Sequence, residues 1–257
     1  MKLQQPAKTV LSGAFNQDIG LVKATAMITM LIDHVGAIFF PGVTELRIIG
    51  RIAFPLFCWG IVTGFERTRS WFRYALRLMA GGLIAQPFYM LALCHQWNEF
   101  NVMATLLLGL LSLAAMRERR WGSQIWGPLV CLLLAAAQQM DYGWRGVLLI
   151  QLMYLARTSR GGLAALMVSF CLYWGGSSSS VQSFLGLPLI PQASNQVAGA
   201  FRMILSSFLR LQTLALLSLP FMLIPTRSGL KVPRWLSYAM YPGHLCLLWL
   251  IRLLVAG

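Results

Sequence analysis

Acidic side chains are scarce in this sequence: seven Asp and Glu stand against 21 Lys and Arg among 257 residues, and charged residues make up 11% of the chain. A globular domain carries about 25%. With 58% hydrophobic residues and a mean hydropathy of +0.67, an ordinary soluble fold is excluded. Nucleic acid does not account for the positive charge, because a basic nucleic-acid-binding domain gathers its charge on a soluble face, whereas here the basic residues fall in short clusters between long apolar stretches. Metal-binding patterns are missing as well. The three histidines are far apart in sequence, there is no H-E-x-x-H, and Cys58, Cys94, Cys131, Cys171 and Cys246 form no C-x-x-C pair and read as small hydrophobes. The G-x-S-x-G elbow and Gly-rich phosphate loops are absent. The first 19 residues lack a compact apolar core with a small-residue cleavage site, so a removable signal peptide is not expected and the first membrane helix should remain.

What is present is a succession of apolar stretches near the length of about 17 to 25 residues that a spanning helix needs. Nine candidates lie near 20–40, 48–65, 73–93, 101–116, 123–139, 144–157, 161–174, 203–225 and 235–255. Arg67, Arg69, Arg73 and Arg77 fall between the second and third, Arg117, Arg119 and Arg120 between the fourth and fifth, Arg157 and Arg160 between the sixth and seventh, and Arg227, Lys231 and Arg234 between the last two. With Lys2, Lys8 and Lys23 these make fifteen of the 21 basic residues. Every second loop is therefore basic, which predicts a cytoplasmic N-terminus, including the segment 1–19, and an external C-terminus. The expected architecture is a single all-α polytopic membrane domain over 1–257. Its one irregular stretch is 175–201, where Gly175-Gly176 and four serines lead into a piece with Pro188 and Pro191 that is too short to cross and is either an outer loop or re-entrant.

A charge at the centre of a spanning helix costs about 2.5–3.5 kcal/mol on insertion scales, so each is a functional candidate facing protein or water. Asp33 and His34 sit roughly 20 Å along the first span at about 1.5 Å per residue. Thr25, Thr29 and Asp33 share one face. Neighbouring residues on a helix diverge by about 100°, so Asp33 does not orient the His34 ring, and its expected partner is Arg51, one turn after Arg47 at the start of the next span. That leaves His34 to act as a general base or nucleophile. In the last span Tyr241-Pro242-Gly243-His244 combines a histidine with a proline that strips a backbone bond from the Tyr238 carbonyl. Asn101, at the head of the fourth span, is placed to orient a substrate amide, and Asp141-Tyr142 adds an acid on the same side as Asp33. The plainer alternatives are a buried polar lock at Asp33, a lipid-phosphate anchor at Arg51, a packing kink at Pro242 and a simple turn at Asp141.

In order along the chain, Ile32-Asp33-His34, Leu46-Arg47-Ile48-Ile49-Gly50-Arg51 with Ala53-Phe54-Pro55-Leu56-Phe57, Asn101-Val102 with Thr105-Leu106, Asp141-Tyr142-Gly143 with Gly146-Val147, and Tyr241-Pro242 with His244-Leu245 resemble the TraX family of conjugative-plasmid membrane proteins. The resemblance covers most of the chain. It implies acetylation of the N-terminal amine of a pilin subunit in the bacterial inner membrane, with acetyl-CoA as co-substrate and no metal, and a distant likeness to multi-span acyltransferases that use a membrane-embedded histidine. In that scheme Arg67, Arg69, Arg73 and Arg77 attract the CoA phosphates, and His34 takes the amine proton or carries the acetyl group. Asp33 holds Arg51, Arg51 or Asn101 stabilises the oxyanion, and His244 completes the catalytic set. Arg47, Asn101, Asp141, Tyr142 and Tyr241 face the pilin, with membrane lipid as the other partner. Two other schemes stay open: head-to-tail cyclisation of the pilin without CoA, and a non-catalytic insertion or assembly factor or small transporter.

Overall fold

The computed structural model describes residues 15–190 and 196–256; the cytoplasmic segment expected at 1–19 lies outside it up to residue 14, as do residues 191–195 of the irregular stretch. Within those residues the chain is all-α apart from short strand pairs. In chain order α1 is Ile19–Phe39, α2 Thr44–Gly50, α3 Ala53–Arg67, α4 Trp71–Leu93, α5 Val102–Glu118, α6 Ser123–Ala137, α7 Gly143–Ala156, α8 Arg160–Gly175, α9 Gln196–Phe208, α10 Leu219–Leu223 and α11 Arg234–Ala256. Four runs are long and apolar enough to cross a membrane: Ile19–Phe39, Thr44–Arg67, Trp71–Leu93 and Trp235–Val255. The helices α5 to α8 are shorter, at 14 to 17 residues.

Side chains explain several boundaries. Asp18 accepts from the Leu21 amide, Ser70 from that of Arg73 and Ser159 from that of Gly162, each as the N-cap of its helix. The core runs between α3, α5, α7 and α8, where Trp59, Phe65, Leu110, Leu113, Ile150, Met153, Leu163 and Met167 are fully buried. The outer faces of α4, α6 and α11 are apolar and exposed, with Leu83, Ile125, Leu133 and Leu254 among the most open; this is the reverse of a water-soluble bundle and suits a hydrocarbon surround.

The expected eighth span, 203–225, is not one helix. α9 stops at Phe208, and the backbone at 209–211 turns to pair with the stretch after α8: Val181 N donates to Leu209 O at 2.7 Å and Leu211 N to Ser179 O at 3.0 Å. Arg210 drives the turn by donating to the carbonyls of Gly176 and Ser178, an outlet that an apolar helix would deny it. The return passage is made by a 3₁₀ turn, Thr213–Ser218, followed by α10. It runs from Gln212, beside Arg51, to Thr226, hydrogen-bonded to Asn16 near the start of α1. α9 itself has no buried residue. The rest of the irregular stretch is a hairpin of β3, Ser183–Phe184, with β4, Leu187–Pro188, pinned at Leu185 N to the Glu45 carboxylate at 2.7 Å.

Candidate active site

The far end of α1, where it meets α2, carries the charged centre. Arg51 Nη2 lies 2.8 Å from Asp33 Oδ1 and Arg47 Nη1 lies 3.1 Å from Asp33 Oδ2, so one carboxylate is clasped by both guanidinium groups. Asp33 and Arg51 are each 8% exposed, and charges that deep persist only when paired. The expected Asp33–Arg51 pair is present, with Arg47 as an addition. Gly50 makes it possible: a Cβ there would run into the Asp33 side chain. The threonine stripe leads nowhere, because the buried Thr29 hydroxyl donates back to the Thr25 carbonyl of its own helix at 2.8 Å.

His34, next on α1, turns away from this cluster towards α11. His34 Nδ1 is 2.6 Å from His244 Nε2, the two rings lie nearly parallel with centroids 4.9 Å apart, and His244 Nδ1 is 2.7 Å from the Met240 carbonyl. These contacts assign the protons. A carbonyl only accepts, so His244 carries its proton on Nδ1 and offers a bare Nε2; His34 then donates from Nδ1, and its own Nε2 is the free basic nitrogen. His244, expected in the catalytic set, does not line the cavity that His34 faces. It stands behind His34 and fixes the ring, the part an orienting acid plays in a catalytic triad.

His34 faces a cavity of about 1010 Å³ that opens at the far end, lined also by Asp33, Arg47, Arg51, Asp141, Tyr142 and Tyr241. A second cavity, of about 690 Å³, opens at the near end and is lined by Lys23, Arg67, Arg69, Arg73 and Arg77. Met30, Phe57, Val102 and Tyr241 line both, so the two cavities abut across those four side chains. The four arginines expected to gather do gather. Arg77 lies over the Tyr238 ring at 5.7 Å, and Arg67 reaches Gln17 at 2.7 Å.

The wall of the far cavity opposite α1 is the turn Asp141-Tyr142-Gly143. It follows β2, Gln139–Met140, which pairs in parallel with β1, Glu99–Phe100. The Asp141 amide donates to Phe100 O at 2.9 Å, and the Thr105 hydroxyl donates to the Asp141 carbonyl. The Asp141 carboxylate makes no hydrogen bond or ion pair among the described residues. Burial pushes it up to about 6, against the pull of the Arg51 guanidinium. Tyr142 is left-handed at φ 65°, a conformation that costs a bulky residue on the order of 1–3 kcal/mol.

Asn101 does not belong to the site. It is 2% exposed; its amide nitrogen donates to Gly82 O and Gln86 Oε1, both at 2.8 Å, while its oxygen accepts from Met103 N as the N-cap of α5. A helix start needed its polar groups more than a substrate did. The cavity instead holds residues that sequence reasoning passed over: the His95–Glu99 pair at 2.6 Å, with Tyr89 stacked on His95, and Arg252. Glu99 lies four residues after His95, and that spacing was the available signal.

A family model described as TraX protein matches residues 18–252. The chain is 32% identical over 136 residues to the probable fimbrial assembly protein FimC of Dichelobacter nodosus, an alignment covering 48% of this chain and 55% of that protein. It is 36% identical over 89 residues to an uncharacterized protein of Rickettsia prowazekii, covering 35% of this chain and 34% of that one. The chain thus spans about half or less of the length of these curated relatives. No solved structure matches.

Proposed function

The chain belongs to the TraX family, and from that premise we propose that it is a multi-pass inner-membrane enzyme that acetylates the N-terminal amine of a pilin subunit with acetyl-CoA. A pilus-related role is supported by the family and by the relative named as a fimbrial assembly protein. The single observation that carries the chemistry is the pair of abutting cavities, with His34 on one side of the junction and four arginines lining the other. In this reading the N-terminus is cytoplasmic, and alternating passages bring the chain out through α11 as the ninth, the eighth being the short stretch 213–223. The near cavity then faces the cytoplasm, where Arg67, Arg69, Arg73 and Arg77 hold the CoA phosphates. The thioester reaches the junction at Met30 and Tyr241, and the amine arrives through the far cavity. His34 Nε2 takes the amine proton as nitrogen attacks the acetyl carbon, and the departing thiolate of CoA recovers that proton.

The intact mass of pilin from cells with and without this protein tests the reading. A gain of about 42 Da corresponds to one acetyl group transferred. A loss of about 18 Da would mean that the pilin's own carboxyl end supplies the acyl carbon, while an unchanged mass with pili still made would leave an assembly role. The inner arginines separate the first two: Arg73→Gln with Arg77→Gln should raise the KM for acetyl-CoA by roughly tenfold or more if they bind its phosphates, and should leave a CoA-independent cyclisation untouched.

Among the described residues Asp141 is the far-cavity carboxylate with no ion-pair partner, which suits it to receive the incoming amine as an ammonium, whose extra proton leaves to solvent through the open cavity before the neutral amine attacks. Its carboxyl titrates at about 6, so the site is anionic above that pH and neutral below it. Acceptor affinity should therefore fall as pH drops through about 6, and Asp141→Asn should remove that step from the pH profile of kcat/KM. A variant profile with the same acid limb would assign the limb to another group.

A further inference from the structure

On the acyl-transfer reading above, attack on the thioester drives the carbonyl electron pair onto oxygen, and that oxyanion needs donors fixed in place beforehand. Arg51 lines the cavity and is fixed there through Nη2 by Asp33, which makes it one such donor, whereas Asn101, the other donor the sequence offered, is spent on α5 and the carbonyl of Gly82. One further side chain that lines this cavity is held as such a donor must be. The Tyr142 backbone is left-handed at φ 65° and is followed by Gly143 at φ 48°, and strain of this kind at a cavity wall persists only where the surroundings over-determine it.

They do so here from three sides. Gly146 N donates to the Tyr142 carbonyl at 3.0 Å. The preceding residue is tied through its amide to Phe100 and through its carbonyl to Thr105. The Tyr142 ring lies face to face with Phe54 at 3.6 Å and 1°, with the Trp174 edge against it at 5.9 Å and 88°. Gly146 is the space that lets this stack close: a Cβ there would meet Phe54 and Thr105 at 2.7 Å each. For all this anchoring, the Tyr142 hydroxyl makes no hydrogen bond among the described residues. Burial pushes its phenol up, with the Arg51 guanidinium beside it pulling the other way, so it keeps its proton and remains a donor at neutral pH.

We propose that the Tyr142 hydroxyl is the second oxyanion donor, acting with Arg51 on the acetyl carbonyl oxygen. The amine nitrogen forms the new bond to the acetyl carbon, the oxyanion is held by Tyr142 and Arg51, and its collapse breaks the carbon–sulfur bond; His34 carries the proton from nitrogen to sulfur. Tyr142→Phe removes only the hydroxyl and keeps the ring stack. In membranes containing the full chain and co-produced pilin, supplied with radiolabelled acetyl-CoA, this variant should lose on the order of 10²- to 10³-fold in kcat with KM for acetyl-CoA within about twofold of the parent, as befits a contact made only in the transition state. Tyr142→Leu, which loses the stack too, separates a structural role. If Tyr142→Phe turns over like the parent while Tyr142→Leu fails, the residue is a wall and not a donor. If the parent itself transfers no label, the acetyl-transfer reading fails and takes the assignment with it; label in the parent and an unimpaired Phe variant overturns the Tyr142 role alone.

Discussion

Pilin recovered from cells carrying the His34→Ala variant is expected to keep the mass of the unmodified subunit, with the variant protein still present in the membrane at the parent's level. General bases contribute about 10²- to 10⁴-fold, and here the loss should fall at the upper end, because the described far cavity holds no second imidazole at the junction. His95 lines the same cavity but is paired with Glu99 at 2.6 Å, and His244 stands behind His34. The fold should tolerate the change: among the described residues the His34 ring hydrogen-bonds only His244, and His244 retains the Met240 carbonyl. His244→Ala is the informative companion. It leaves the His34 Nε2 in the cavity but releases the ring, so acetylation should fall less than in His34→Ala and fail to recover at higher pH. Undiminished acetylation in His34→Ala would remove the histidine from the chemistry and favour a reaction run by other groups.

The second large effect is on stability. Asp33→Asn leaves Arg51, 8% exposed, and Arg47 facing each other without their shared carboxylate. Breaking one partner of a buried ion cluster costs about 3–5 kcal/mol, against the roughly 5–15 kcal/mol that holds a typical domain together. The variant should accumulate poorly, and in detergent it should aggregate at a distinctly lower temperature than the parent. Adding Arg51→Gln to Asp33→Asn takes away the stranded charge and should recover part of the loss, since the penalty of burying an unneutralised guanidinium goes with it. If Asp33→Asn is as stable as the parent, the clasp does not hold α1 to α2, and that contact would rest on the close approach at Gly50. The two predictions are independent: His34→Ala reads chemistry in a folded protein, and Asp33→Asn reads whether the protein stays folded.

Much of this molecule was legible in its residues because lipid is a strict solvent. An apolar run must become a helix to satisfy its own backbone, so seven of the expected spans and the last one reappear as helices or helix pairs at nearly the expected positions. For the same reason a charge within such a run must find an opposite charge, and Arg51, on the next span in the same half of the membrane, was within reach of Asp33. Local rules of this kind use sequence neighbours and burial alone.

What followed from tertiary structure follows from contacts between segments far apart in the chain. His34 and His244 are 210 residues apart, and nothing in either helix reveals that α1 and α11 lie side by side with both rings turned inward. The eighth span looked apolar enough, yet Arg210 found the carbonyls of Gly176 and Ser178, and its backbone left the helix to follow. Asn101 looked like a substrate contact because composition cannot tell a capping amide from a free one; only the position of the helix start and of Gly82 and Gln86 decided it. The sequence by itself determined a membrane-embedded helical protein with a buried acid–arginine pair and a histidine beside it. The tertiary structure alone decided which nitrogen of that histidine is free, that two cavities meet beside it, and that a strained tyrosine lines the same cavity, because each of these depends on how side chains from distant helices share a space too small for any of them to choose alone.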